Sequence, residues 1–284
     1  MDIKKYYHAP WPGLLAFLMV FVWQGLGHTV MILMQKVFGQ EWQYESALFV
    51  GLVGAICVWV GRNKSELPAT LWGFTGGSLI WTGWVEFAFV WVASYLGVEP
   101  DGKTKPEYRV MVSSIGVLFA TLLYFYFNKE TRCNLFRWMH RNLHMNPGVP
   151  SSGQGRNIAS LVAMEAVYVT WFFYIALLLL YDTRWAGDRS IATYSAFLIS
   201  FIWGLYLLQR LLRFQRVAPA LRYGIPTAII LWNCVEIAGR WGRIREIWLS
   251  PEKYGTELAI MGLGLVAVVA LSILSPARQP VDVQ

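Results

Sequence analysis

Apolar residues run along this chain in blocks of about 20, separated by short polar stretches, and the blocks are continuous and do not alternate with a period of two. Each block is long enough to cross a hydrocarbon layer roughly 30 Å thick as a helix, and the missing alternation excludes a transmembrane barrel. The runs lie near Trp11 to Gln35, Glu45 to Gly61, Pro68 to Leu96, Arg109 to Phe127, Ile158 to Tyr181, Ser190 to Gln209, Tyr223 to Gly239 and Glu257 to Leu274. The pattern predicts an all-α, polytopic transmembrane helix bundle with about eight spanning helices. The first run follows Lys4 and Lys5, is too long for a signal-peptide core and has no small-residue cleavage pattern after it, so it is expected to be a retained span.

One connection divides the chain. Between Asn128 and Asn157 a basic, aromatic stretch from Arg132 to Arg141 leads into a Pro-, Gly- and Ser-rich piece from Pro147 to Gly155. The first part suits an interfacial amphipathic helix and the second a linker. The expected organisation is a first membrane half over 1–127 with four spans, a basic cytoplasmic loop over 128–157, and a second membrane half over 158–284 with four more.

Composition agrees. Of 284 residues, 56% are hydrophobic and only 14% charged, against roughly 25% charge in a soluble domain. Threading the N-terminus inside puts Lys4, Lys5, Arg62, Lys64, Lys129, Arg132, Arg137, Arg141, Arg156, Arg210, Arg213, Arg216, Arg222 and Arg278 on the inner side, 14 of the 24 basic residues. Both termini are therefore expected in the cytoplasm, in a multi-pass protein of a cell (inner) membrane. The net charge of +7 follows from that bias and from anionic headgroups, and nucleic acid is not needed as a partner. Trp11, Trp42, Trp59, Trp72, Trp185, Trp241 and Trp248 fall near predicted span ends, as an aromatic belt requires. Cys57, Cys133 and Cys234 imply no disulfide framework.

Function starts with the few ionisable groups inside the runs, since each costs roughly 2.5–3.5 kcal/mol at a helix centre. Gln24, Gly27, His28, Met31 and Gln35 recur at helical spacing and form one stripe. Gly73, Gly76, Gly77 and Gly83 offer a thin helix face, with Glu86 three residues beyond on the same side. Asn233, Glu236 and Arg240 share a stripe on the seventh run, the carboxylate four residues before the guanidinium, the favourable order for an intrahelical pair. The expected polar interior comprises Gln24, His28, Glu86, Asn233, Glu236 and Arg240, all in the central-to-outer half of the layer. If Arg240 neutralises Glu236, Glu86 is left to share a proton or cation with His28.

Familiar catalytic constellations do not occur. With His8, His28, His140 and His144 the only histidines, and one of them in a run, a bis-histidine haem or a histidine-rich di-iron centre cannot be assembled. There is no nucleophile elbow, phosphate-cradling Gly loop or HExxH. His140 and His144 are four apart, a weak ligand spacing better read as surface histidines of the basic helix. The segment Arg240 to Lys253 interleaves Trp241, Ile244, Ile247 and Trp248 with charges and reads as a helix in the headgroup zone.

The pattern favours a proton- or cation-linked carrier or pore, or a membrane subunit of a larger complex. Its partners would be the lipid bilayer, other membrane subunits and a small ion or lipid ligand; no metal site and no particular cofactor is implied. The alternative is a membrane-embedded enzyme acting on a lipid or quinone, with Glu86 or Glu236 as acid or base and Arg240 holding an anionic headgroup. A purely structural scaffold, held to partners by the glycine-lined third span, is the third expectation.

Overall fold

The computed structural model describes residues 8–101, 104–131, 133–149, 151 and 157–274. Lys4, Lys5, Arg132, Arg156 and Arg278, and residues 152–155 of the linker, lie outside the described residues. Of the described residues, 78% are helical and none lies in a strand.

In chain order the helices are α1 (Trp11–Gly39), α2 (Glu41–Gly61), α3 (Glu66–Ile80), α4 (Phe87–Tyr95), α5 (Pro106–Ser113), α6 (Ile115–Phe127), α7 (Asn134–Asn142), α8 (Ile158–Tyr181), α9 (Ile191–Leu211), α10 (Val217–Arg240) and α11 (Gly255–Ile273). Gly39 separates α1 from α2 because it takes φ 63° and ψ −169°, a conformation with no place in a helix and open to glycine. A π-helical turn, Trp81–Glu86, joins α3 to α4 without ending the helix. Pro106 opens α5, where its missing N–H costs nothing, and the Ser190 side chain caps α9 by accepting from the Thr193 amide.

Helices α1, α2, α8, α9 and α11 are each long and apolar enough to cross a membrane, and α5 with α6, bent by 49° at their junction, makes up to six. Along α9 and α11, residues such as Ile199, Ile202, Ile260, Leu263 and Val266 are exposed, as helices set against lipid require.

The chain forms two compact units, one from Met1–Val37 and Leu180–Gln284, the other from Phe38–Leu179. In the second unit, α3 is packed on two sides by small residues. A Cβ on Gly76 would stand 2.7 Å from the Gly54 carbonyl oxygen and one on Gly83 2.5 Å from that of Ala47, so these two face α2. Gly73 and Gly77 face α8, against the backbone of Ala159 and Ala163. The single thin face expected from sequence is therefore two, which lets α3 sit between two neighbours at backbone distance, the close approach that drives association where lipid removes any hydrophobic gain. α2 runs antiparallel to α3, since 47 to 54 meet 83 to 76, and α8 runs parallel to it, since 159 and 163 meet 73 and 77. Trp81, Met111, Leu118, Val167 and Ile175 fill the core of this unit.

In the first unit, α1 and α10 are parallel: Ala16 lies against Gly224 and Gly25 against Trp232. α9 packs along α10 in the opposite direction, with the Tyr194 and Phe197 rings at its start against Trp241, just past the end of α10. Pro226 is accommodated inside α10, where the Thr227 hydroxyl donates to the Tyr223 carbonyl.

Candidate functional site

The parallel register of α1 and α10 decides which polar side chains meet in the first unit. Gly25 leaves room for the indoles of Trp232 and Trp248, both within 3.5 Å of where its Cβ would stand, and one turn later His28 comes level with Glu236. His28 Nε2 lies 3.3 Å from Glu236 Oε1, an ion pair when the imidazole carries both protons. The same carboxylate oxygen accepts the Trp232 indole N–H at 2.7 Å. The two side chains are only 17% and 22% exposed, so the contact is made largely out of solvent, where charge-assisted hydrogen bonds count for most.

The segment after α10 closes over this pair. It is not the headgroup-zone helix expected between Arg240 and Lys253: Gly242 takes φ 72° and Pro251 follows, leaving only one 3₁₀ turn, Ile247–Leu249. That turn drives Trp248 inward. The indole is buried, its ring centroid is 4.8 Å from that of Trp232, and the Thr29 hydroxyl on α1 is within hydrogen-bond reach of the Trp248 carbonyl at 3.3 Å. Further along, Lys36 and Glu252 pair at 2.6 Å. Trp248 thus belongs to the packing around the pair rather than to an aromatic belt.

A second set of charges sits at the end of α10. Arg240 Nε donates to Asp188 Oδ1 at 2.9 Å, its guanidinium stands over the Tyr181 ring at 5.0 Å, and the Trp241 indole donates to the Asp188 backbone carbonyl at 2.6 Å. Asp188 precedes the first turn of α9 and Arg240 ends α10. Each charge complements the helix dipole beside it, and the antiparallel packing brings the two together. The Tyr181 hydroxyl is buried with no hydrogen-bond partner among the described residues, and the charges of Glu236, Arg240, Asp188 and Glu246 all act on it. Glu246, in the segment after α10, lies against Gly239, whose Cβ would be 2.8 Å from its Cγ. Burial, and then the negative charge of Glu236, push the Glu246 carboxyl above its ordinary range, against the lowering effect of His28 and Arg240.

Of the six residues expected to form the polar interior, the structure brings His28 and Glu236 into contact. Gln24, one turn before His28, donates to the Val20 carbonyl of its own helix at 3.4 Å, and Asn233 is buried on α10. Arg240, expected to neutralise Glu236, reaches Asp188. Glu86 belongs to the second unit, where it is buried at the end of the π-helical turn. Asp188, Glu246, Trp232 and Tyr181 were not singled out as site residues: the first two lie in loops, where helical spacing carries no information, and the others looked like span aromatics.

His140 also differs from expectation. It is buried, and its Nε2–H donates to the Tyr126 carbonyl at 2.6 Å, while His144 lies beyond the end of α7 at φ 53°. The two imidazoles therefore do not share a helix face. Compared with models of protein families, with curated proteins and with solved structures, the chain matches none.

Proposed function

We propose that this is a multi-pass protein of a cell (inner) membrane, with about eight spans and both termini in the cytoplasm, that works as a proton- or cation-linked carrier or pore, alone or as the membrane subunit of a larger complex. The directions of helix packing support eight spans. α1 and α10 are parallel, as first and seventh spans must be; α2 and α3 are antiparallel, and α3 and α8 parallel, as second, third and fifth spans must be. This count takes α3 with α4, and α10, as the two spans beyond the six that apolarity alone picks out. The basic-residue asymmetry supports the orientation.

The observation that carries the functional reading is the His28–Glu236 contact at 3.3 Å inside a helical bundle. Around it, Asp188 pairs with Arg240, and Glu246 lies against Gly239 within electrostatic reach of Glu236, His28 and Arg240. With a neutral imidazole, three carboxylates outnumber one guanidinium by two charges. Protons taken up by His28 and Glu246 bring the set to neutrality, and a bound monovalent cation replaces one of them. Loading and unloading such a set is the elementary step of proton- or cation-linked transport.

The test is the purified full chain in sealed vesicles with an internal pH dye, under an imposed sodium or potassium gradient. Proton movement that depends on the cation is expected, with loss in Glu236→Gln and in His28→Ala. Vesicles that stay proton-tight under every cation gradient, from protein that retains and chemically converts a lipid or quinone, would overturn the carrier in favour of the enzyme.

A further inference from the structure

We infer that α7 and the chain leading into it form a docking surface for anionic lipid headgroups, with the helix lying in the plane of the membrane surface. Two contacts fix its orientation. His140 donates to the Tyr126 carbonyl at the end of α6, and the Phe136 and His140 rings pack on the Tyr126 ring at 5.5 and 5.0 Å. Phe136 and His140 are four residues apart, so one face of α7 is held against the last turn of α6 and the opposite face is turned outward.

The outward face has two flanks. Leu135 and Trp138, three apart, are 52% and 55% exposed; Arg137 and Arg141, four apart, are exposed beside them. An apolar flank next to a basic flank is the arrangement that puts a helix at the boundary of acyl chains and headgroups. The neighbouring chain continues both: Tyr124 and Phe127 at the end of α6 are 65% and 59% exposed, and Lys129 is exposed just after them. Residues 128–157 hold five basic residues, Lys129, Arg132, Arg137, Arg141 and Arg156, and one acid, Glu130. Glu130 accepts the Ser151 amide at 2.7 Å. The charge complementarity is to a negatively charged surface, and the apolar flank at the end of an apolar helix makes that surface a bilayer rather than an acidic protein.

The experiment is hydrogen–deuterium exchange on the full chain in nanodiscs of phosphatidylcholine alone, or of phosphatidylcholine mixed with phosphatidylglycerol. A cation near an anionic surface contributes about a fivefold factor in binding, so the amides of α7 should exchange at least tenfold more slowly in the mixed discs, and high salt should erase the difference. The double variant R137Q/R141Q should lose most of that difference, while Trp138→Ser should speed exchange in both compositions. Equal exchange of α7 in the two compositions at low salt would overturn the inference, as would an unchanged difference in R137Q/R141Q. Because the readout is local protection, it holds or fails regardless of whether the protein transports anything.

Discussion

Replacing Glu236 separates the charge of the buried pair from its shape. Glu236→Gln keeps the side-chain volume and an acceptor for the Trp232 indole N–H, but removes the negative charge 3.3 Å from His28 Nε2. A net hydrogen bond contributes about 1 kcal/mol when neutral and about 1.5–3 when one partner is charged, so the glutamine variant should lose about 1–2 kcal/mol. Glu236→Ala removes both acceptor functions and leaves two donors facing a void, which should cost about 3 kcal/mol or more. In a chain of this size 1 kcal/mol moves the unfolding midpoint by about 2–4 °C, so the two variants should be resolved by thermal unfolding in detergent, followed by size-exclusion chromatography of the surviving fold. A cycle with His28→Ala and the double variant isolates the pair and should show a coupling of about 1–2 kcal/mol. Additivity of the two single variants within about 0.5 kcal/mol would refute the contact as an energetic one. Glutamine and alanine variants of equal stability would refute the hydrogen-bonded role of the carboxylate.

Gly77→Ala places a methyl 2.6 Å from the Ala163 carbonyl oxygen and 2.7 Å from its Cα; α3 and α8 have to part, and a loss of about 1–3 kcal/mol in detergent stability is expected. Trp248→Ala empties the space under Trp232 and should cost about 3–5 kcal/mol, with Trp248→Phe recovering much of it. Glu246 predicts a pH dependence. Its raised carboxyl holds a proton in the folded chain that the unfolded chain gives up, so its contribution is full below the unfolded carboxyl value of 4.5 and is lost as pH climbs through the raised folded value. Glu246→Gln should accordingly flatten the fall in midpoint on the alkaline side of 4.5, and a pH profile identical to that of the parent chain would show that the carboxyl is not held in its buried place.

The apolar runs made the helices readable because 20 residues without charge have one low-energy structure in lipid. The glycines of α3 were visible too, but the division of Gly73 and Gly77 from Gly76 and Gly83 depends on which helices lie on either side, and that is a property of the assembled unit. His28 and Glu236 lie on two separate stripes, each legible from spacing, but their contact with each other was not: the sequence offers Glu86 as the partner of His28. Spacing along α10 offered Arg240 to Glu236, because four residues is the reach of an intrahelical pair. What spacing cannot reveal is that antiparallel packing carries the start of α9 to the end of α10, and Asp188 with it. The segment after α10 departs from its sequence pattern for a related reason. Alternating aromatic and charged residues imitate an amphipathic helix, yet Gly242 at positive φ and Pro251 deny it the backbone, and Trp248 finds more area to bury against Trp232 than at a surface.

The two charged pairs of the first unit therefore differ in what sustains them. Asp188 and Arg240 sit at helix ends, where the dipoles of α9 and α10 favour their signs, with the Trp241 indole and the Tyr181 ring beside them. Such a pair accounts for itself as structure. His28 is placed differently: it lies in the interior of α1, far from either end, where a polar side chain costs free energy. Glu236 lies a full turn inside the end of α10, accepts an indole N–H and faces that imidazole. An ionisable pair held away from helix ends, with a second carboxyl of raised proton affinity on the neighbouring segment, fits the proposed transport reading better than a pair seated at helix ends, and this physical difference is why the proposal places the exchanging protons on His28 and Glu246, beside Glu236, rather than on Asp188 and Arg240.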